Sequence, residues 1–293
     1  MNLWEAGPAR YGDKPFLTWY DDRRAERVEL SYRTFDNWVA KTANLLVDEL
    51  GAEPGDRVGA LLVDHWQTAV VLAACWRAGL QVVRLDPDTP ATGDLVAAFV
   101  REELLPAAGE LPARTVVVAL TADLLGRGRR DLGGALSYPR VVPTMGDLFQ
   151  GGGDPQGAAL TVSEGEAATM AELLGRATAL AALTGLGGGD RMLSGLPLLS
   201  AAGAAAGLVA PLATGAGVVL VKDLEPAGFW KRAPEERVTV AVLDPGQAAA
   251  LLAAGPPPAG LDRSRLRVVA CQGAGDALRA GFTATLDLPL LDD

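Results

Sequence analysis

Residues 160–169, LTVSEGEAAT, carry an apolar run into Ser163, Glu164, Gly165 and Glu166. A serine and a glycine after a strand are the residue types of a phosphate-binding loop: a hydroxyl and backbone N–H groups wrap the anion, and glycine lets the main chain come close. Such a cradle also needs countercharge, yet no lysine lies between Lys41 and Lys222, and Arg176 is the first cation after the stretch. The glutamates oppose a triphosphate, because like charges 4 Å apart cost about 1 kcal/mol in water and about 4 kcal/mol at a partly buried site. The same letters suit a helix start. Ser163 three residues before Glu166 has the form of a capping box, and the residues favour that reading over a ligand site. A magnesium ion held by Glu164 and Glu166 alone would be short of oxygen ligands.

A second candidate is CQGAGDA at 271–277, where Gln272, Gly273, Ala274 and Gly275 follow an apolar run. A glycine-rich loop at the carboxyl end of a parallel strand is where α/β sheets take small ligands, and a tight turn without a ligand is the plainer alternative. Asp64 and His65 could be an acid–base pair, but adjacent side chains diverge and no nucleophile is recognisable beside them, so Asp64 is expected to cap a helix. The chain has one histidine, which excludes a multi-histidine zinc centre. Cys75 and Cys271 lie far apart within apolar stretches and are expected as buried thiols without a metal. GRGRRD at 126–131 could grip a phosphate, although an exposed arginine loop explains it as well. The glycines of GLGGGDR at 185–191 follow a helical stretch instead of opening one, which is helix termination and not a dinucleotide fingerprint.

These residues must be carried by a fold, and the pattern is of short β-branched runs alternating with helical periods. It reads as α/β, with mostly parallel sheets and flanking helices. Strands are expected near 58–63, 81–85, 114–120, 158–162, 191–196, 217–221, 238–243 and 266–270. Helices are expected over 32–50, 65–78, 92–105, 166–184, 200–213 and 247–254. The expected organisation is an α/β lobe over 1–125, a glycine-rich linker or excursion over 126–157 and a second α/β lobe over 158–293, the whole possibly one compact domain. Hydrophobic residues make up 49% of the 293 and charged residues 21%, which excludes a mostly disordered chain. A net charge of −10 argues against nucleic acid as a partner. Residues 192–221 carry no charge, but prolines and recurring glycines break them, so no membrane span is expected. The opening residues lack a signal-peptide pattern, and the cytoplasm is the expected location.

LSYRTFDNWVAKTANLL at 30–46, followed by GAEPGDRVGALLVDHWQTAVVLAACWRAGLQVVRLDPDTP at 51–90, resembles the N-terminal part of the adenylate-forming superfamily of acyl-CoA synthetases, peptide adenylation domains and luciferases. Pro54, Gly55, Asp56, Arg57 and Val58, then Arg77, Ala78 and Gly79, then Asp86 and Pro87, match that family's motifs in order. LPLLSAAGAAAGLVAPLATGAGVVLV at 196–221 is similar to its Leu-Pro-Leu-Phe-His segment, with Ser200 at the position of the family histidine. VVACQGAGDAL at 268–278 is similar to the loop beside the adenine. The chain is thus identified as a truncated, degenerate member, closest to an uncharacterised AMP-binding-like family of actinobacteria.

The resemblance implies AMP, ATP or a CoA ester as ligand, and Gln272–Gly275 as the adenine-side loop. It places the phosphate loop at Ser163, Glu164 and Gly165, where the family's glycines and lysine are missing. The family's Thr-Glu magnesium motif occurs nowhere in the sequence, and a C-terminal lid domain with its lysine is not expected. The expectation is therefore a pseudoenzyme without catalytic residues, acting through a protein partner or a small acyl or nucleotide ligand. Two alternatives are a partial ligase completed by a second polypeptide and a sensor of AMP or a CoA ester.

Overall fold

A computed structural model describes residues 10–89, 91, 93–121, 131–151, 157–163 and 166–292. In chain order the strands and helices are β1 (Pro15–Asp21), β2 (Glu26–Ser31), α1 (Tyr32–Asn44), β3 (Arg57–Leu61), α2 (Trp66–Arg77), β4 (Gln81–Arg84), β5 (Ala97–Arg101), β6 (Val116–Leu120), β7 (Leu136–Ser137), α3 (Tyr138–Val141), β8 (Ala158–Ser163), β9 (Glu166–Thr169) and α4 (Met170–Thr184). They continue as β10 (Arg191–Ser194), α5 (Ala201–Ala204), α6 (Ala210–Thr214), β11 (Gly217–Val221), α7 (Pro226–Glu235), β12 (Val240–Val242), α8 (Pro245–Ala253), β13 (Val268–Ala270), α9 (Asp276–Gly281) and β14 (Leu290–Leu291).

The chain forms two compact units, dividing after Arg33 and after Glu172. Residues 34–172 carry one seven-stranded sheet in the order β7-β6-β5-β3-β4-β8-β9, parallel except for the β8–β9 pair. The remaining residues carry a second, β14-β13-β12-β10-β11-β1-β2, parallel except for β1–β2. Both are the mostly parallel sheets with flanking helices that the alternating pattern implied. The boundaries fall elsewhere than at 125 and 158, because β1 pairs in parallel with β11, Leu17 opposite Val218 and Trp19 opposite Leu220. The opening strands thus belong to the sheet of the later half. The described part of 126–157 supplies β7 and α3 to the unit 34–172.

Three local expectations need correction. The helix expected over 92–105 is not found among the described residues there: β5 sits between β3 and β6, followed by a 3-10 segment at Glu102–Glu110. Ala97, Ala98, Phe99 and Val100 are buried on both faces, and a continuous apolar run does not separate a buried strand from a buried helix. The helix expected from 166 begins at Met170, because Glu166–Thr169 returns as β9 against β8. The capping box belongs to the same S/T-x-x-E pattern one step along: the Thr169 hydroxyl accepts from the Glu172 N–H at 3.2 Å, and the Glu172 carboxylate accepts from the Thr169 N–H at 2.8 Å. The cap of α2 is His65 and not Asp64. Extended backbone at His65 lets its Nδ1 accept from the Gln67 N–H at 3.2 Å.

The charge-free residues 192–221 form β10, the helix α5, a wider π turn at Ala205–Val209, α6 and β11. Pro211 has no N–H to continue an α-helical ladder, and just before it the chain opens to longer spacing, with the Ala210 N–H reaching Ala205 O. Among the described residues no helix is long and apolar enough to cross a membrane. Gly185 terminates α4 at φ +65°, and the Leu186 N–H bonds back to Ala181 O, the helix-ending geometry expected of GLGGGDR. The core of the second sheet gathers Leu193, Val219, Ala241 and Val269 with Phe229 and Phe282. Each of the two phenylalanines contributes about 1.5–3 kcal/mol relative to exposure.

Candidate functional site

In the unit containing β10–β14, the carboxyl ends of the parallel strands bring together short polar loops. β13 ends at Ala270, and residues 272–275 turn out of the sheet with Gly273 at φ +72°. A side chain at Gly273 or Gly275 would meet nothing within 4 Å, so the outer face of the loop is open. Its inner amides are engaged. One oxygen of Asp292, just past β14, accepts from the Gly273 N–H at 2.7 Å and the Ala274 N–H at 3.2 Å. Arg279 on α9 donates to Ala274 O at 2.6 Å and to the other Asp292 oxygen at 3.2 Å, and also pairs with Asp276. The predicted loop therefore exists at the predicted end of a parallel strand, and it is held by a carboxylate of the chain itself.

Beneath the loop the Cys271 thiol is fully buried. Burial, with the Asp244 and Asp292 carboxylates nearby, pushes it up to about 11, so it stays a neutral thiol. Cys75, buried in the other unit, is pushed higher still by burial. Both cysteines are free, as expected. At the end of β12, Asp244 and Gln247 form a full capping box for α8, and the Gln247 amide continues to Gly195 O at 2.8 Å. Gly195 follows β10 for a steric reason: a Cβ there would strike the Gln247 side chain. Ser194, the last residue of β10, is buried, and its hydroxyl has no hydrogen-bond partner among the described residues.

Ser200 caps α5, its Oγ accepting from the Gly203 N–H at 3.0 Å and donating to Pro197 O at 2.8 Å. Ser163 lies in the other unit as the last residue of β8, where it pairs with Glu166 across the β8–β9 ladder. Glu164, Gly165 and the run 126–130 lie outside the described residues. Among the described residues no three of His, Cys, Asp and Glu are grouped to hold a metal. Asp244 with Gln247 was legible as a D-P-x-Q cap signal. The pairing of Asp292 and Arg279 with the 272–275 loop had no local signal.

Replacing Asp292 by alanine is expected to cost about 1 kcal/mol, below the usual worth of a charged hydrogen bond because the carboxylate is half exposed. Amide exchange at Gly273 and Ala274 should rise by up to about tenfold. Unchanged exchange would show that the loop holds itself.

A family model described as AMP-binding enzyme matches residues 4–98 and 152–286. A Mycobacterium tuberculosis (strain H37Rv) protein, designated only as a member of a numbered family, is 38% identical over 226 residues, covering 77% of this chain and 90% of that one. Among solved structures, an acyl-CoA synthetase of Brucella canis superposes with a TM-score of 0.84 at 18% identity over 99% of this chain. A benzoate CoA ligase of Burkholderia xenovorans does so at 0.79 and 19%, also over 99%. The chain spans 56% and 59% of those two proteins, and at 18% and 19% identity their likeness is one of fold.

Proposed function

The chain belongs to the AMP-binding enzyme family, and we propose that within it this protein is a binding protein that does not adenylate, acting through a small nucleotide or acyl ligand or through a protein partner. The carrying observation is the pairing of Ser163 with Glu166. It leaves two residues to connect β8 and β9, where a triphosphate cradle needs a longer loop with several free N–H groups and a cation. No lysine occurs between Lys41 and Lys222 to supply that charge. The sequence of the stretch brings two acidic residues, Glu164 and Glu166, and no cation. The 272–275 loop is the element proposed to meet a ligand, AMP or a CoA ester, with its outer face open. Two free, buried cysteines suit a reducing cytoplasm.

The test is carboxylate-dependent ATP–pyrophosphate exchange, run beside calorimetric titrations with AMP, CoA and an acyl-adenylate mimic. No exchange above background is expected with any carboxylic acid. Exchange above background overturns the reading, because it requires a seated triphosphate. A bulky side chain at Gly273 should weaken whichever ligand binds, and unchanged affinity removes the loop from the site.

A further inference from the structure

At the opposite, amino end of the β10–β14 sheet lies a cavity of about 420 Å³ into which Lys14, Arg191, Arg237 and Arg265 face. We propose that this cavity is a binding site for a phosphate-bearing anion, with Arg237 and Arg265 as its outer ligands and Arg191 and Lys14 at its floor. The inference goes beyond the proposed function and uses none of its residues.

The charge balance of the lining points to an anion. Each carboxylate around the cavity already has a guanidinium: Glu236 accepts from Arg27 and Arg191, Glu29 from Arg27 at 2.6 Å, Asp190 from Arg267 at 2.9 Å and Glu235 from Arg232 at 2.5 Å. The cations are not matched in the same way. The side chains of Arg237 and Arg265 make no hydrogen bond or close ion pair among the described residues, Arg265 having only the longer-range attraction of the Asp262 carboxylate, and both residues are exposed. Lys14 has no carboxylate within salt-bridge distance among the described residues: it donates to Gly215 O at 2.7 Å and to Gly188 O, and its ammonium lies 5.3 Å from the centre of the Tyr11 ring. Burial lowers its pKa, and Arg191 nearby lowers it further against the pull of Asp190. Arg191 uses one terminal nitrogen for Thr18 and Glu236, while its Nε is buried without a partner. The lining holds four cations against the four carboxylates Glu29, Asp190, Glu235 and Glu236, and because Arg27, Arg232 and Arg267 from outside also serve those carboxylates, cationic charge is in local excess in a chain of net charge −10.

The backbone at Arg237 points the same way. The residue closes α7 in the position where a left-handed conformation is needed: its own N–H bonds to Pro234 O, the Val238 N–H reaches back to Ala233 O, and φ is +53°. Glycine is the residue that adopts this conformation without strain, and it is the usual occupant of that place. Here a long cationic side chain stands instead, with no protein partner, on the rim of the cavity. Positive φ also occurs at Ala25, Asp223 and Asp287; at Arg237 it closes α7 and at the same time sets a cation on the cavity rim. Arginine is also the side chain whose forked donors match phosphate oxygens.

The test is calorimetric titration of the full chain with inorganic pyrophosphate, in about 10 mM salt where the Debye length is about 30 Å. Wild-type protein should bind, and Arg237→Gly and Arg265→Ala should each weaken binding about tenfold. Arg237→Gly relieves the left-handed strain, so its unfolding midpoint should stay at or above that of the wild type. Absence of pyrophosphate binding to the wild-type chain overturns the proposal, and so does equal binding by both variants. Nucleotide binding that disappears in Arg237→Gly belongs to this cavity, whereas ATP–pyrophosphate exchange reports on β8 and β9, so the two readings fail separately.

Discussion

Replacing Glu236 by alanine is expected to lower the unfolding free energy by about 3 kcal/mol, measured by urea denaturation. Glu236 is 8% exposed and gathers three elements of the second sheet. Tyr20 of β1 donates to it, Arg27 of β2 approaches at 3.1 Å, and Arg191 of β10 pairs with its other oxygen. Deleting the carboxylate leaves the Arg27 and Arg191 guanidiniums with Glu29 as their one remaining shared carboxylate, at 2.6 and 3.6 Å, and the buried Tyr20 hydroxyl without its acceptor. Removing one partner of a buried ion pair costs about 3–5 kcal/mol, and the lower end applies because Arg27 is nearly half exposed and can turn to water.

Glutamine at the same position separates shape from charge, and it makes a pH prediction. Burial alone would raise the Glu236 pKa, but the Tyr20 hydrogen bond and the charges of Arg191 and Arg27 hold it below its ordinary value. A carboxyl group depressed in the folded state contributes stability above its unfolded value of about 4.3 and loses that contribution as pH falls through the folded value. Wild-type stability should therefore decline below about pH 4.3, and Glu236→Gln should flatten that acid limb. Part of the limb will remain, because Asp21, paired with Lys222 at 3.1 Å, is depressed in the same direction. An unaltered acid limb in Glu236→Gln would remove the residue from the linkage.

Gly203→Ala is expected to cost about 2–4 kcal/mol in the same experiment. A Cβ at Gly203 would run into the carbonyl of Pro197, which is main chain and cannot swing aside. Relief requires moving the start of α5, and that movement breaks the Ser200 cap on the Gly203 N–H. Alanine's better helix propensity returns about 1 kcal/mol, too little to offset the clash. Gly175 in α4 is the control, since a Cβ there meets nothing within 4 Å. Gly175→Ala should stabilise by about 0.4–1 kcal/mol. Equal effects at the two positions would show that α5 shifts at no cost.

Much of this molecule was readable along the chain. The alternation of β-branched runs with helical periods located β3, β4, β6, β8 and β10–β13, because burial on a regular element imposes its own period on the residues. The missing lysine between Lys41 and Lys222 is a fact of composition that no folding can reverse. The family was legible in Pro54–Val58 and Arg77–Gly79, short motifs whose order survives without coordinates. Other features exist only once distant segments meet. β5 passed for a helix because burial on both faces erases the alternation that marks a strand. β8 and β9 made a hairpin where a helix start was expected, through the pairing of Ser163 with Glu166. β1 joined a sheet whose next strand lies some two hundred residues on, a choice made by parallel pairing and left unmarked in local pattern. Asp292 over the 272–275 loop and the cations around the amino-end cavity arise in the same way: a charge finds its partner through space, and one-dimensional spacing carries no record of which partner that will be.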